Sequence, residues 1–313
     1  MIKLTPFWQG FELKKNIVAE LLLVFVAISW GGTFLPVAEA IKSINVFSFL
    51  FWRFLLAVIL MYILTIKVIK FDKISILCGL FLGFWLFGGF TLQTYALKFT
   101  YSSTVAFITG LNVVVVPFSM LIFFKQSVNK FAFAGAFIAI IGLYFLSGNE
   151  GLGFGLGESL AIICAICYAL HIAFTGVLVQ KCNIYAMVVS QFFAVAFLCF
   201  LGAVFFGEDN AKSVLGGLEF SLEADFLIAI VVCAVFATVF AYFVQTYAQV
   251  YTTPTKTALI LTLEPVSAGI IGYFFGGEVL SMAQICGAVA ILFGVLFSEL
   301  GSNLVKNSSI KLD

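Results

Sequence analysis

Charged side chains are scarce in this chain of 313 residues: Asp, Glu, Lys and Arg make up 10% of the sequence, whereas hydrophobic residues make up 63%. Soluble proteins carry about 25% charged residues, so a water-soluble fold is excluded. The formal net charge of +1 also excludes the broad basic surface that binds nucleic acid. Since a membrane-spanning helix needs about 20 apolar residues, about ten such helices account for most of the hydrophobic fraction.

Residues that build catalytic or metal centres are equally rare. The chain has one histidine, His171, and its seven cysteines include a single C-x-x-C pair, Cys164 and Cys167. An odd number of thiols in apolar stretches is not a disulfide framework. The lysine-bearing phosphate-binding loop of nucleotide hydrolases is absent from the sequence. We therefore expect no catalytic residue, no metal and no cofactor.

Long uncharged runs predict the membrane-spanning helices. We place ten of them at 17–36, 46–66, 74–97, 101–124, 131–148, 155–179, 184–206, 226–248, 255–275 and 281–300. Three of these runs are interrupted by a polar residue, namely Arg53, His171 and Glu264. The prediction is an all-α membrane protein with ten transmembrane helices.

The loop charges predict the orientation of this bundle. An even number of crossings leaves both termini on one side, and twelve of the sixteen Lys and Arg residues then lie on that side. Acidic residues of the longest loop, among them Glu208, Glu219 and Glu223, lie on the other side. Because positive residues collect in cytoplasmic loops, both termini are predicted to be cytoplasmic.

An internal repeat divides the chain. The segment Gln93-Thr94-Tyr95-Ala96 recurs as Gln245-Thr246-Tyr247-Ala248, 152 residues later, and this spacing also pairs Asn112 with Glu264. A weaker similarity at a spacing of 138 residues pairs Trp30 with Tyr168 and Arg53 with Gln191. We expect two five-helix repeats, residues 1–150 and 151–313.

Five helices are an odd number, so the second repeat enters the membrane in the opposite direction from the first. Inverted repeats of this kind form a shared site near the bilayer midplane, and rocking of one half against the other exposes that site alternately to each side.

Four short motifs carry a resemblance to a known family. They are Ser29-Trp30-Gly31-Gly32-Thr33-Phe34, Trp52-Arg53-Phe54, Gly110-Leu111-Asn112 and Leu263-Glu264-Pro265-Val266. In this order and spacing they resemble the drug/metabolite transporter superfamily, EamA-type branch, over essentially the whole chain. The resemblance implies a ten-helix bundle of two inverted halves that carries small organic metabolites across the bacterial inner membrane, often outward. One departure is Val113, which stands where the second half has Pro265.

The function predicted from these features is secondary active transport of a small organic solute, such as an amino acid, a vitamin or a drug-like compound, by alternating access and with export as the preferred direction. The alternatives are an importer of a vitamin or cofactor with the same fold, a membrane scaffold, and an integral membrane enzyme. The expected partners are the solute and the lipid bilayer. Proton coupling and a homodimer are left open.

Polar residues inside the predicted helices are the first candidates for the site. Glu264 lies near the bilayer centre, where a charge costs roughly 2.5 to 3.5 kcal/mol, so it either serves transport or bonds the backbone disturbed by Pro265. Asn112 has the same two interpretations. His171 could relay protons or bond a neighbour, and Arg53 could attract an anion or anchor its helix at the interface.

Aromatic and amide side chains complete the candidate set. Trp30, Tyr95 and Tyr247 can wall a cavity that stacks on flat or apolar solutes. Gln93 and Gln245 recur at repeat-related positions, which makes them better candidates for binding than any phenylalanine, and helix contacts are the alternative interpretation. The 39 phenylalanines are too numerous for an aromatic pattern to indicate a site.

Overall fold

The computed structural model describes residues 6–125, 130–146, 155–208 and 210–310. The helices within these ranges are α1 (Pro6–Ala40), α2 (Val46–Thr65), α3 (Lys73–Ala96), α4 (Ser102–Thr109), α5 (Asn112–Phe124), α6 (Lys130–Leu146), α7 (Leu156–Leu178), α8 (Ile184–Phe206), α9 (Ala224–Ala234), α10 (Ala241–Tyr251), α11 (Pro254–Leu261), α12 (Leu263–Gly276) and α13 (Met282–Ile310). A π-helical turn, Val235–Phe240, joins α9 to α10. The predicted repeat boundary at 150 and 151 and both chain termini lie outside the described residues.

Eight helical stretches of the described chain are long and apolar enough to cross a membrane. They are Asn16–Ala40, Val46–Thr65, Lys73–Ala96, Ser102–Phe124, Leu156–Lys181, Ile184–Phe206, Ala224–Tyr251 and Pro254–Gly276. Helices α6 and α13 are two further apolar helices. The protein is therefore a multi-pass, all-α membrane protein, and its described strands are one antiparallel pair, β1 (Ser213–Leu215) and β2 (Leu218–Glu219), in the loop after α8.

Three of the predicted spans contain an interruption. The stretch 101–124 is split into α4 and α5 at Gly110, and the stretch 255–275 is split into α11 and α12 at Thr262. In the second case Pro265 cannot donate a hydrogen bond to the carbonyl of Leu261. The first break has no such proline, but a Cβ added at Gly110 would lie 3.2 Å from Cγ of Pro265, so the two breaks pack against each other. The third interruption is the π-helical turn between α9 and α10.

The helices form one bundle, and polar contacts join neighbouring elements at each of its two ends. Helix α1 packs on α12 and α10, α7 packs on α5 and α3, α2 packs on α8, and α6 packs on α13. At one end the Ser75 hydroxyl accepts a hydrogen bond from the main-chain N–H of Asn183 at 2.7 Å. At the other end the Glu219 carboxylate accepts one from the main-chain N–H of Asn45 at 2.6 Å.

Helix α3 begins at an aspartate cap. Asp72 accepts hydrogen bonds from the Ser75 hydroxyl at 2.5 Å and from the Ser75 amide at 2.9 Å. These two bonds lower the pKa of the Asp72 carboxyl below its ordinary value, because they stabilise the charged form. Since the first amides of a helix lack intrahelical acceptors, the cap fixes where α3 begins.

Candidate functional site

A cavity lies in the middle of the bundle, between α1, α2, α3, α7 and α10 and beside the two helix breaks. Its empty space, part of which is open to the surroundings, measures about 600 Å³.

Seven of the nine residues predicted from the sequence line this cavity: Trp30, Arg53, Gln93, Asn112, His171, Gln245 and Glu264. The structure brings them together from seven helices. Tyr95 and Tyr247 lie elsewhere, with Tyr95 edge-on to Phe47 at 5.7 Å and Tyr247 stacked on Phe243 at 6.3 Å. The physical reason is helix geometry, because a residue two positions after a cavity-lining glutamine is rotated by roughly 200° around a helix of 3.6 residues per turn.

Arg53 and Trp30 are held by the π-helical turn. The Trp30 indole donates to the carbonyl oxygen of Ala237 at 2.9 Å, and Arg53 Nη2 donates to the same oxygen at 3.3 Å. Arg53 Nε donates to the Thr238 hydroxyl at 2.8 Å, and the guanidinium lies 4.5 Å from the ring centre of Phe90. Arg53 is 3% exposed, so it is a buried cation rather than an interfacial anchor. Turns of the π type are rare in proteins overall, and those that occur are frequently found at functional sites.

The two repeat-related glutamines have different environments. Gln93 Oε1 accepts a hydrogen bond from the Tyr168 hydroxyl at 2.9 Å. Gln245 is 1% exposed, and neither of its side-chain polar atoms has a hydrogen-bond partner among the described residues. Buried polar atoms are almost always paired, so Gln245 has hydrogen-bonding capacity available on the cavity wall.

His171 and Glu264 line the cavity in contrasting ways. His171 Nε2 lies 3.0 Å from Gln191 Oε1, and its ring lies edge-on to Tyr242 at 5.7 Å. Glu264 is half-buried, and within the described part of the chain its carboxylate has no hydrogen-bond or ion-pair partner at contact distance. Its main-chain carbonyl accepts a hydrogen bond from the Ser267 hydroxyl at 2.9 Å, within the first turns of α12.

Asn112 and Glu264 occupy matching positions at the helix breaks. Asn112 is the first residue of α5, and Glu264 lies in the first turn of α12. The amino-terminal end of a helix carries a partial positive charge and favours anionic groups. Each break therefore presents a helix amino terminus and a hydrogen-bonding side chain to the same cavity.

Glycine at position 31 allows α1 to approach this region. A Cβ added there would lie 1.9 Å from Ser267 Oγ, 2.6 Å from the Glu264 carbonyl oxygen and 2.8 Å from the Ala268 nitrogen. Only a residue without a side chain fits at those distances. Gly31 thus fixes the spacing between Trp30 on α1 and Glu264 on α12.

Several lining residues, among them Thr33, Phe90 and Tyr242, were not predicted from the sequence. Tyr242 touches Trp30 with ring centres 5.0 Å apart and Phe90 with ring centres 5.7 Å apart. Phe90 and Tyr242 stand three residues before Gln93 and Gln245, which is nearly one helical turn. That spacing was the signal that could have identified them.

Comparisons with known proteins give a consistent result. The profile described as the EamA-like transporter family matches residues 17–148 and again residues 155–300. An uncharacterized transporter of Archaeoglobus fulgidus is 31% identical over 93% of this chain and 89% of its own length. A second uncharacterized transporter of that organism is 24% identical over 90% of this chain and 96% of its own length. A solved crystal structure superposes with a TM-score of 0.67 at 16% identity, covering 92% of this chain and 98% of that one, which is a similarity of fold.

Proposed function

The chain belongs to the EamA-like transporter family, and from this premise we propose that it is a secondary active transporter that exports a small organic metabolite through the central cavity. The observation that carries the proposal is the buried Gln245 amide on the cavity wall, whose two polar atoms have no hydrogen-bond partner among the described residues, with Glu264 on the same wall. A membrane protein gains no stability from leaving such groups unpaired in its centre. They are suited to bind a solute with hydrogen-bonding groups and an apolar or aromatic part.

The transporter is built of ten membrane helices in two repeats, residues 1–150 and 151–313. Helix bounds support this division, because several recur at the spacing of 152 residues found in the sequence. Helix α4 begins at Ser102 and α11 at Pro254, α5 ends at Phe124 and α12 at Gly276, and α6 begins at Lys130 and α13 at Met282. The eight long spans, with α6 and α13, make up the ten helices.

The two repeats are inverted. The direction of the equivalent helices α6 and α13 supports this: a Cβ added at Gly142 would lie 2.6 Å from the Gly287 carbonyl oxygen, and one added at Gly294 would lie 2.6 Å from the Gly135 carbonyl oxygen. Position numbers therefore rise on one helix as they fall on the other, so α6 and α13 are antiparallel. The contact is also reciprocal, since Gly135 corresponds to Gly287 and Gly142 to Gly294 at the same spacing.

The solute site is shared between the repeats. Support comes from the lining residues, which include six repeat-related pairs: Trp30 and Tyr168, Thr33 and His171, Phe34 and Ile172, Phe90 and Tyr242, Gln93 and Gln245, and Asn112 and Glu264. Such a cavity straddles the pseudo-two-fold axis, where alternating access needs the binding site to be. Trp30, Arg53, Gln93, Asn112, His171, Gln245 and Glu264 bind the solute.

The protein spans the bacterial inner membrane with both termini in the cytoplasm. Lysines support the orientation, because Lys256 forms an ion pair with Glu20 at the bundle end where α7 and α10 finish. Lys73 and Lys181 belong to the same end through the bond between Ser75 and Asn183. This is the end that the positive-inside rule assigns to the cytoplasm.

Proton coupling is assigned to Glu264. Its half-buried carboxylate lies at a break in the membrane interior and has no described partner. A group in this situation gains and loses a proton as the cavity changes its exposure from one side to the other. Loading the carboxylate with a proton on one side and releasing it on the other would drive export of the solute against its gradient.

The test combines metabolite profiling with vesicle transport. Cells with and without the protein are compared for solutes that accumulate outside, and the enriched compound is then loaded into proteoliposomes under an imposed pH gradient. Saturable flux that follows the pH gradient supports a proton-coupled exporter, whereas flux that never saturates indicates a channel. Enrichment of the compound inside the expressing cells would instead support the importer. Light scattering of the purified protein distinguishes a monomer from a homodimer.

A further inference from the structure

A second group of buried polar side chains lies one helical turn away from the cavity. Thr175 stands four residues from His171 on α7, Gln249 four residues from Gln245 on α10, and Thr257 four residues from Leu261 on α11. Since residues four apart share a helix face, each member lies beneath a cavity-lining residue. We call Thr175, Gln249 and Thr257 the second polar cluster.

All three members are displaced from the cavity toward the same end of the bundle. Helices α7 and α10 finish at that end, and α11 begins there. The Gln249 amide donates to the Ile172 carbonyl at 2.9 Å, and its nitrogen lies 3.3 Å from the position of a Cβ added at Gly176. Gln249 therefore lies against α7 beside Thr175, and the cluster occupies a layer between the cavity and the end that carries Lys181 and Lys256.

The cluster is buried and incompletely bonded in this structure. Each member is at most 1% exposed, and Thr175 Oγ1, Thr257 Oγ1 and Gln249 Oε1 have no hydrogen-bond partner among the described residues. The neighbouring positions Ala173 and Ala258 are fully buried and apolar, and they belong to the core that surrounds the cluster. Buried polar atoms cost free energy unless they are paired, so packing alone favours apolar side chains at all three positions.

Two polar contacts lie at the end beyond the cluster. Lys256 pairs with Glu20, which joins α11 to α1, and the Gln180 side-chain amide donates to the Gln249 main-chain carbonyl at 3.5 Å. The second polar cluster thus lies between a cavity with hydrogen-bonding capacity and these contacts. A solute that left the cavity at this end would pass the cluster.

We propose that the second polar cluster lines the next segment of the transport path. When this end of the bundle opens, the cluster becomes hydrated and contacts the solute. The proposal rests on the proposed function and narrows its substrate class. A path lined by hydroxyl and amide groups without formal charge serves solutes that keep hydrogen-bonding groups along their length, and it disfavours purely apolar compounds. Gln245, whose two side-chain polar atoms have no hydrogen-bond partner among the described residues, links the cavity to this segment.

Thiol accessibility tests the proposal on the full chain without knowledge of the solute. Thr175→Cys and Thr257→Cys are compared with Ala173→Cys and Ala258→Cys, which are equally buried neighbours on the same helices. Membranes that expose the lysine-rich end are treated with a positively charged, membrane-impermeant methanethiosulfonate. Peptide mass spectrometry assigns each modified thiol, so the seven native cysteines do not interfere.

We expect the two threonine sites to react at least about ten times faster than the alanine sites, a ratio that corresponds to 1.4 kcal/mol in the free energy of access. Equal rates at the paired positions would overturn the proposal. A double variant that combines Thr175→Cys with Thr257→Val provides an independent check. Labelling at position 175 should be slower in this variant than in Thr175→Cys alone, and unchanged labelling there would contradict a shared hydrated path.

The outcomes separate this inference from the proposed function. Saturable flux in vesicles with no preferential labelling would reject the second polar cluster and leave the transporter standing. Preferential labelling without flux of any solute would reject the transport function, because it would show only that water enters this end.

Discussion

Replacing Gly31 by alanine should force α1 away from α12 and distort the cavity between them. The new Cβ would overlap Ser267 Oγ at 1.9 Å and would also lie 2.6 Å and 2.8 Å from main-chain atoms of Glu264 and Ala268. A serine hydroxyl can rotate away, but main-chain atoms move only with their helix. The substitution therefore requires a shift of the two helices at the point where Trp30 and Glu264 face each other.

The magnitude follows from a comparison with the adjacent glycine. Adding a methyl group to a packed core costs typically about 1–3 kcal/mol, while exchanging glycine for alanine inside a helix gains about 0.5–1 kcal/mol. At Gly32 the nearest atom to an added Cβ is Ile271 Cδ1 at 3.7 Å, which is ordinary contact. Gly32→Ala has the same helix gain without the overlap, so the two variants should differ by about 1–3 kcal/mol in the free energy of unfolding.

The assay is thermal unfolding of the purified variants in detergent, followed by size-exclusion chromatography of the heated samples. A difference of 1 kcal/mol corresponds to about 2–4 °C in Tm for chains of roughly 150–250 residues, so Gly31→Ala should unfold several degrees below Gly32→Ala. Adding Ser267→Ala should restore only part of the loss, because the main-chain overlaps remain. Equal midpoints for the two glycine variants would refute the close approach of α1 and α12.

Three further predictions concern the cavity and the α3 cap. Glu264→Gln should slow proton-coupled flux and weaken its pH dependence while the protein stays folded, as flux in proteoliposomes at several pH values will measure. Trp30→Ala should shift the preference among transported solutes in competition assays, whereas Tyr95→Ala should leave it unchanged, because Tyr95 lies outside the cavity. Asp72→Asn should lower Tm at neutral pH, because the depressed pKa of Asp72 means that its carboxylate contributes stability above the ordinary pKa of about 3.9. The difference in Tm between the variant and the unmodified protein should disappear as the pH of the melting assay falls below that value.

Each of these predictions has its own control. Glu39→Gln removes an exposed carboxylate that pairs with Lys42 at 2.7 Å, and it should not alter flux. If Glu264→Gln behaves like Glu39→Gln, then Glu264 belongs to the scaffold. A Tyr95→Ala variant with an altered preference would extend the solute site beyond the cavity, and a Tm gap for Asp72→Asn that persists in acid would assign the effect to something other than the charged cap.

The sequence predicts the helical segments and most of the cavity, because both depend on local patterns. Apolar runs mark the membrane helices, and the cost of polar groups in lipid singles out Asn112 and Glu264, whereas the sequence left an interfacial anchor open for Arg53. What it does not predict is the orientation of side chains around each helix. Tyr95 shares a motif with Gln93 yet points away from the cavity, and Tyr242 lines the cavity without belonging to any motif.

The helix interruptions show a second limit of prediction. Pro265 announces the break between α11 and α12, but the break at Gly110 has no proline of its own and is recognised only through its contact with the Pro265 ring. The π-helical turn Val235–Phe240 is an uncharged, proline-free segment with Thr238 as its one polar residue, and this composition does not mark a π-helical turn. Both features arise from packing between the two parts of the chain.

The oxygen shared by Trp30 and Arg53 belongs to the main chain of Ala237, and no substitution at that position can delete it. The two donors come from α1 and α2, so each can be altered singly while the other still tethers the turn. Solute selectivity can therefore be altered by substitutions at Trp30 while Arg53 still holds the π-helical turn. In a variant whose other three tryptophans are replaced, the fluorescence of the indole at position 30 would report motion of that turn.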